Sequence, residues 1–167
     1  MALVIEDGTF VAGANSFVTR SELIAYAALR GVVLPDTDAT DIHAILSMDY
    51  LWSLCLKGEL VELTQSTPFP RKGLVPGDTD PDYEYQIPVG VKNAQLQLGL
   101  DSANGIVLTA SANPTGDLKR SKVGPLEREF FEATSLTLDG TPPLTVAKAW
   151  LAPFMCADGM LLKTVRA

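Results

Sequence analysis

Apolar residues recur at helical spacing in four stretches of the chain, and each stretch is bounded by residues that start or stop a helix. The first is expected from Arg20 to about Arg30. Thr19 and Glu22 have the spacing of a reciprocal capping box, Val18 and Leu23 that of a hydrophobic staple, and Gly31 supplies a left-handed stop. The turn Pro35-Asp36-Thr37-Asp38 leads into a second helix over Ala39 to about Lys57. Its Ile42, Ile45, Leu46, Met48, Trp52, Cys55 and Leu56 trace a broad apolar face that reads as core, and Gly58 can close it. A third helix opens at Ile87-Pro88 and runs through Val91, Ala94, Leu96 and Leu98 to Asn104-Gly105, slightly weakened by Gly90 and Gly99. The fourth, about Pro143 to Leu151, carries Leu144, Val146, Ala147 and Trp150 and is stopped by Pro153.

Between these stretches the period changes. Leu3-Val4-Ile5 is strand-like and is followed by a turn at Gly8, which places an ordered element at the N-terminal end of the chain. Residues 64–85, punctuated by Pro68, Pro70, Pro76 and Pro81, read as an irregular loop with the character of an interaction surface. After Gly105, Ile106 to Thr109 is a short apolar piece, and Leu118 to Val123 can pair with Leu126 to Phe131 across Gly124-Pro125 as a projecting hairpin. The segment Phe154 to Ala167 keeps Met160, Leu161, Leu162 and Val165, an apolar content suited to docking. The expected fold is mainly α: a small helical bundle with a projecting β-hairpin and extended N- and C-terminal arms. One domain spans 1–167, with a helical core over about 19–105, the hairpin over about 117–132 and the terminal helix and docking tail over about 143–167.

Composition narrows the partners. The 167 residues are 47% hydrophobic and 20% charged, with mean hydropathy +0.17. No apolar run approaches the roughly 20 residues of a membrane span, and Met1 to Glu6 lacks the pattern of a signal peptide, so a soluble, unprocessed chain is expected. Its apolar excess favours burial against further subunits. Thirteen Lys and Arg against twenty Asp and Glu leave a net charge of −7, the wrong sign for a dedicated duplex binder. An acidic surface can still line a passage through which DNA slides. Cys55 and Cys156, far apart and without Cys-x-x-Cys spacing, read as buried free thiols of a reducing compartment.

Catalytic chemistry is not expected. His43, the single histidine, lies between Ile42 and Ala44 at a helix edge without a nucleophile motif. Asp78, Asp80 and Asp82 alternate like the start of a calcium loop, but Tyr83 and Val89 stand where that loop needs glycine and glutamate, so no metal is assigned. No cofactor motif is present. Lys119, Arg120, Lys122 and Arg128 concentrate basic charge on the hairpin. They suit an acidic partner or phosphate, and equally a solvated strand edge protected against aggregation. Trp52 reads as core and Trp150 as an interface anchor.

The runs Leu3-Val4-Ile5-Glu6-Asp7-Gly8-Thr9 and Gly13-Ala14-Asn15-Ser16-Phe17-Val18-Thr19 resemble the start of a family of tailed-phage head-to-tail adaptors, often labelled DnaT-like single-stranded DNA-binding. Asp49-Tyr50-Leu51, Pro68-Phe69-Pro70-Arg71-Lys72-Gly73 and Ile87-Pro88-Val89-Gly90-Val91-Lys92-Asn93-Ala94 keep the family's order. Lys122-Val123-Gly124-Pro125-Leu126 is similar to its hairpin and Ala152-Pro153-Phe154 to its C-terminal end. The chain departs from the pattern with Phe69 in place of Trp and an acidic insert over Gly77 to Glu84.

The resemblance implies a structural virion protein of the head-tail junction, made in the host cytoplasm and assembled as a twelvefold ring beneath the portal. Its partners would be further copies of itself, the portal, a tail or nozzle/collar protein and passing double-stranded DNA held without specific binding, with no membrane and no cofactor. The subunit and portal interface would draw on Trp150, Phe154, Met160, Leu161, Leu162 and Val165, together with Phe130 or Phe131 of the hairpin. The rival expectation is a single-stranded nucleic-acid module. It would bind through the basic hairpin, with Phe130, Phe131 or Tyr85 as stacking platforms.

Overall fold

The computed structural model describes residues 2–74, 86–108, 120–123, 126–129 and 144–156. Four helices and two short hairpin-like pairs follow in chain order: α1 (Arg20–Ala28), α2 (Asp38–Trp52), β1 (Glu59–Leu60), β2 (Arg71–Lys72), α3 (Val89–Ala103), β3 (Arg120–Val123), β4 (Leu126–Glu129) and α4 (Thr145–Leu151). The fold is mainly helical with a small antiparallel hairpin, β3–β4, as the sequence pattern implies. The docking tail beyond Cys156, the Asp78-Asp80-Asp82 loop, Tyr85, Lys119, Phe130 and Phe131 lie outside the described residues.

Helix α3 is the centre of the packing, in contact with α1, α2 and α4. Val91, Ala94 and Leu98 on α3 meet Phe17, Val18, Met48, Leu51, Phe69, Ala147 and Leu151 in one core, while Leu23, Ala27, Leu34, Ala44 and Leu100 form a second beneath α1. Two glycines set how closely the helices approach. A Cβ on Gly90 would stand 3.0 Å from the Phe154 ring and 3.1 Å from the Trp150 carbonyl, and one on Gly99 would stand 3.1 Å from the Leu23 methyls.

The capping box at α1 is present: Thr19 Oγ1 accepts from Glu22 N, and Glu22 Oε2 accepts from Thr19 N at 2.6 Å. Gly31, with φ +76°, makes the left-handed stop. The N-terminal segment forms a single parallel bridge, Ile5 to Ser16, rather than a strand. It is fixed by the buried Glu6 carboxylate, which accepts from the N–H groups of Gly8, Phe10 and Val11 at 2.8–2.9 Å. A carboxylate that accepts three backbone donors satisfies its own charge and organises the turn around it. Asn15 closes the loop, its Oδ1 accepting from Val4 N and its Nδ2 donating to Ala2 O.

Helix α2 corrects two expectations. It ends at Trp52 rather than near Lys57, because Ser53 N and Leu54 N turn back to Tyr50 O and Leu51 O in a tighter final turn. Leu56 then bridges Met155, and Gly58, with φ +71°, turns into β1, where any Cβ would overlap the Lys72 carbonyl. The second correction is which face is buried. Thr40, Asp41, Ala44, Ser47, Met48, Tyr50 and Leu51 are inside, while Ile42, Leu46 and Trp52 are 49%, 43% and 42% exposed. Polar groups occupy the inner face because each has a partner there: Arg20 holds Asp41, Ser47 Oγ donates to Ala44 O, and Thr40 Oγ1 donates to Pro35 O. Trp52 is therefore not core; its Nε1 donates to Ser66 O at the surface.

The irregular loop begins with more order than expected. Phe69 is fully buried beside Phe17, preceding a cis Pro70, and β2 returns to pair with β1 through Glu59 opposite Lys72 and Leu60 opposite Arg71. The piece after Gly105 is not a strand over Ile106 to Leu108; Ile106 and Val107 are exposed and Leu108 is buried. The cysteines are a further correction. Cys55 and Cys156 form a disulfide with their Cα atoms 5.5 Å apart, since the Leu56–Met155 bridge and the Cys156 N to Cys55 O hydrogen bond draw the two backbones side by side. Cys55 is exposed rather than buried.

Candidate functional site

The outward face of α2 gathers Ile42, Ile45, Leu46, Asp49 and Trp52, which the 3.6-residue period places on one stripe opposite the buried residues. Along one edge of the stripe lies a groove of about 340 Å³ lined by His43, Leu46, Asp49, Ser102 and residues 105–108. Exposed Ile106 and Val107 continue its apolar character. An amphipathic helix whose outer stripe is apolar presents surface that gains by being covered. The sequence pattern identifies this stripe but assigns it to the core, because periodicity locates an apolar face without saying which way it points.

Inside the groove, His43 Nδ1 and Ser102 Oγ are 2.9 Å apart, and burial pushes the imidazole below its ordinary value. Burial raises the neighbouring Asp101 carboxyl, and a hydrogen bond from Gln97 Nε2 at 2.8 Å works in the opposite direction. No sequence motif announces the pairing of His43 with Ser102, which lie 59 residues apart.

A second apolar surface lies on α4. Val146 and Trp150, one turn apart on the same face, are 51% and 45% exposed, and Val89, adjacent to the close-packed Gly90, is also exposed. Trp150 thus stands where an anchor can reach a partner. Phe154 differs: it is partly buried, with its ring edge-to-face on Phe69 at 6.1 Å and packed over Gly90.

Five cations of the helical body, Arg20, Arg30, Lys57, Arg71 and Lys72, are drawn into internal contacts. Arg20 reaches Asp36, Asp38 and the buried Asp41, with Nε 2.7 Å from Asp41 Oδ1, and the hydrogen bond to Asp41 raises the guanidinium above its ordinary range. Arg30 stacks 3.4 Å over the Tyr26 ring. Lys57 Nζ donates to Pro153 O, and Lys72 sits 3.8 Å from Glu59. Arg71 donates to the carbonyls of Leu56, Lys57, Gly58 and Pro68, tying the start of β1 to β2. On the hairpin, the register sets Arg120 opposite Glu129, Lys122 opposite Glu127 and Ser121 opposite Arg128. Two of the basic positions therefore face acidic ones across the ladder.

Among the described residues no group of three or more His, Cys, Asp or Glu could hold a metal ion, and no helix is long and apolar enough to cross a membrane. Several residues of the motifs that carry the sequence resemblance build the fold: Glu6 in its turn, Asn15 across the N-terminal loop and Arg71 on its carbonyls. No curated protein and no solved structure shows a significant match to the chain. The family model described as "Putative DnaT-like ssDNA binding protein" matches residues 1–167, and the chain belongs to that family.

Proposed function

We propose that the protein is a head-to-tail adaptor of a tailed phage, a structural subunit that forms a ring beneath the portal, extends the DNA channel and offers a docking face to the tail. The observation that carries this reading is the outward apolar surface of α2 and α4, with Trp52, Leu46, Val146 and Trp150 presented to solvent in one chain. Apolar surface of this kind is stabilised by subunit contact, at about 1.5–3 kcal/mol for each large side chain fully covered. The net charge of −7 per copy suits a channel that repels phosphate and lets DNA slide.

The family description favours a second reading, a single-stranded DNA-binding module. With Arg20, Arg30, Lys57, Arg71 and Lys72 engaged within the helical body, that reading draws on Lys92 of α3, Lys148 of α4, the hairpin and the C-terminal segment. Electron microscopy of the purified protein with and without portal separates the two. The adaptor reading expects closed rings seated on the portal in the absence of nucleic acid. Tight, steeply salt-dependent binding to single strands by a chain that never closes into multimers would overturn it.

A further inference from the structure

We infer that the outward stripe of α2 is the docking surface for the C-terminal segment of the same chain, residues 157–167. The root of that segment is fixed just beyond the C-terminal end of α2. Cys156 is bonded to Cys55, three residues past the last residue of α2; Leu56 bridges Met155; and Lys57 N donates to Phe154 O. The segment therefore departs from the C-terminal end of the helix whose exposed face needs a cover.

Length and pattern agree with that placement. Ile42 to Trp52 extends about 15 Å along the helix axis. From Cys156, the residues to Val165 reach about 30 Å when extended, enough to turn back from the disulfide and run the whole stripe. The segment offers Met160, Leu161, Leu162 and Val165 to Trp52, Leu46 and Ile42. Lys163 and Arg166 accompany them, and Asp49 is the acidic residue set within the stripe. A tether this short gives the segment a high effective concentration at its own α2, so cover from the same chain is favoured over cover by a second molecule in dilute solution.

This inference concerns the free chain and does not depend on the adaptor reading; in a ring, the same segment is what a portal or neighbour would have to displace. The test uses full-length protein carrying Trp150→Phe, so that Trp52 alone reports. Docking expects Leu161→Asp/Leu162→Asp to shift the Trp52 emission to the red and to raise its acrylamide quenching at least twofold, with far-UV circular dichroism unchanged. The surface substitution Leu46→Asp should do the same from the other side of the contact. Protection of Trp52 should also be independent of protein concentration over a hundredfold dilution. Unchanged quenching in both variants would overturn the inference. Protection that is lost on dilution would also overturn it, since the cover would then come from a second copy. Neither overturning result decides whether rings form on the portal, which electron microscopy with portal tests separately.

Discussion

The backbone N–H of Phe17 donates to Oε1 of Gln95 at 2.9 Å, a bond that spans 78 residues and joins the N-terminal segment to the middle of α3. The same side chain uses Nε2 to reach Ser16 Oγ and the Ala44 carbonyl, both at 3.0 Å, so one buried amide ties the N-terminal loop, α2 and α3 together. Every polar atom of Gln95 is thereby partnered. Replacement by leucine nearly keeps the volume and strands the Phe17 N–H, an orphan costing about 1–3 kcal/mol, while the Ala44 carbonyl keeps its bond from Ser47 Oγ. Gln95→Leu should lower the urea midpoint by an amount corresponding to about 1–3 kcal/mol without changing the slope. A midpoint within error of the parent would show that the network contributes little.

The two glycines of α3 should respond differently to alanine. Alanine in a helix gains about 1 kcal/mol over glycine where space allows. At Gly90 the new Cβ would meet the Trp150 carbonyl at 3.1 Å as well as the Phe154 ring, and a backbone carbonyl cannot move aside without shifting α4. At Gly99 the obstacle is the two methyls of the buried Leu23 side chain, which need to give by only a few tenths of an ångström. Gly90→Ala is therefore expected to destabilise by about 1–2 kcal/mol, while Gly99→Ala is neutral or mildly stabilising. Thermal unfolding of the two variants side by side decides it; a larger loss at Gly99 would contradict the packing argument.

Much of this architecture is legible along the chain where local chemistry decides it. Thr19, Glu22 and Gly31 specify α1 within two residues at its C-terminal end, and the β3–β4 hairpin falls where Gly124-Pro125 separates two alternating runs. What escapes the sequence is whatever depends on a distant partner. Asp41 and Ser47 are buried on α2 with Arg20 and the Ala44 carbonyl as partners, and the apolar stripe expected in the core lies on the outward face instead. The disulfide escapes for the same reason, since spacing alone says nothing of two cysteines brought together by a bridge between Leu56 and Met155. The α2 surface is thus visible as a pattern and misassigned in direction.

Reduction of the Cys55–Cys156 disulfide should loosen the chain measurably. The bond spans a sequence separation of 101 residues. In the chain-entropy account, a cross-link of that length limits the unfolded ensemble by about 4–5 kcal/mol. For a domain of this size the corresponding fall in Tm is roughly 10 °C. Cys55→Ser/Cys156→Ser should show that fall, and dithiothreitol should lower the parent Tm without affecting the variant. Free-thiol titration of the unfolded, unreduced protein gives the independent check: two reactive thiols per chain would refute the bond.

The pH dependence of stability should carry the signature of His43. Burial holds its imidazole below the ordinary 6.5, so as pH falls the unfolded chain takes up this proton before the folded one. The stability associated with the neutral ring is fully present above pH 6.5 and is lost as pH falls through that value towards the lower folded one. Asp101 works with the opposite sign. Its carboxyl is raised above 3.8 by burial, so its contribution is fully present below that pH and is lost as pH rises through the folded value. The two are separable by substitution: His43→Asn should flatten the decline in Tm between about pH 7 and pH 5.5, whereas Asp101→Asn should leave that decline in place and change the profile at lower pH. A His43→Asn profile parallel to that of the parent would mean that titration of other groups, and not the desolvated ring, sets the decline.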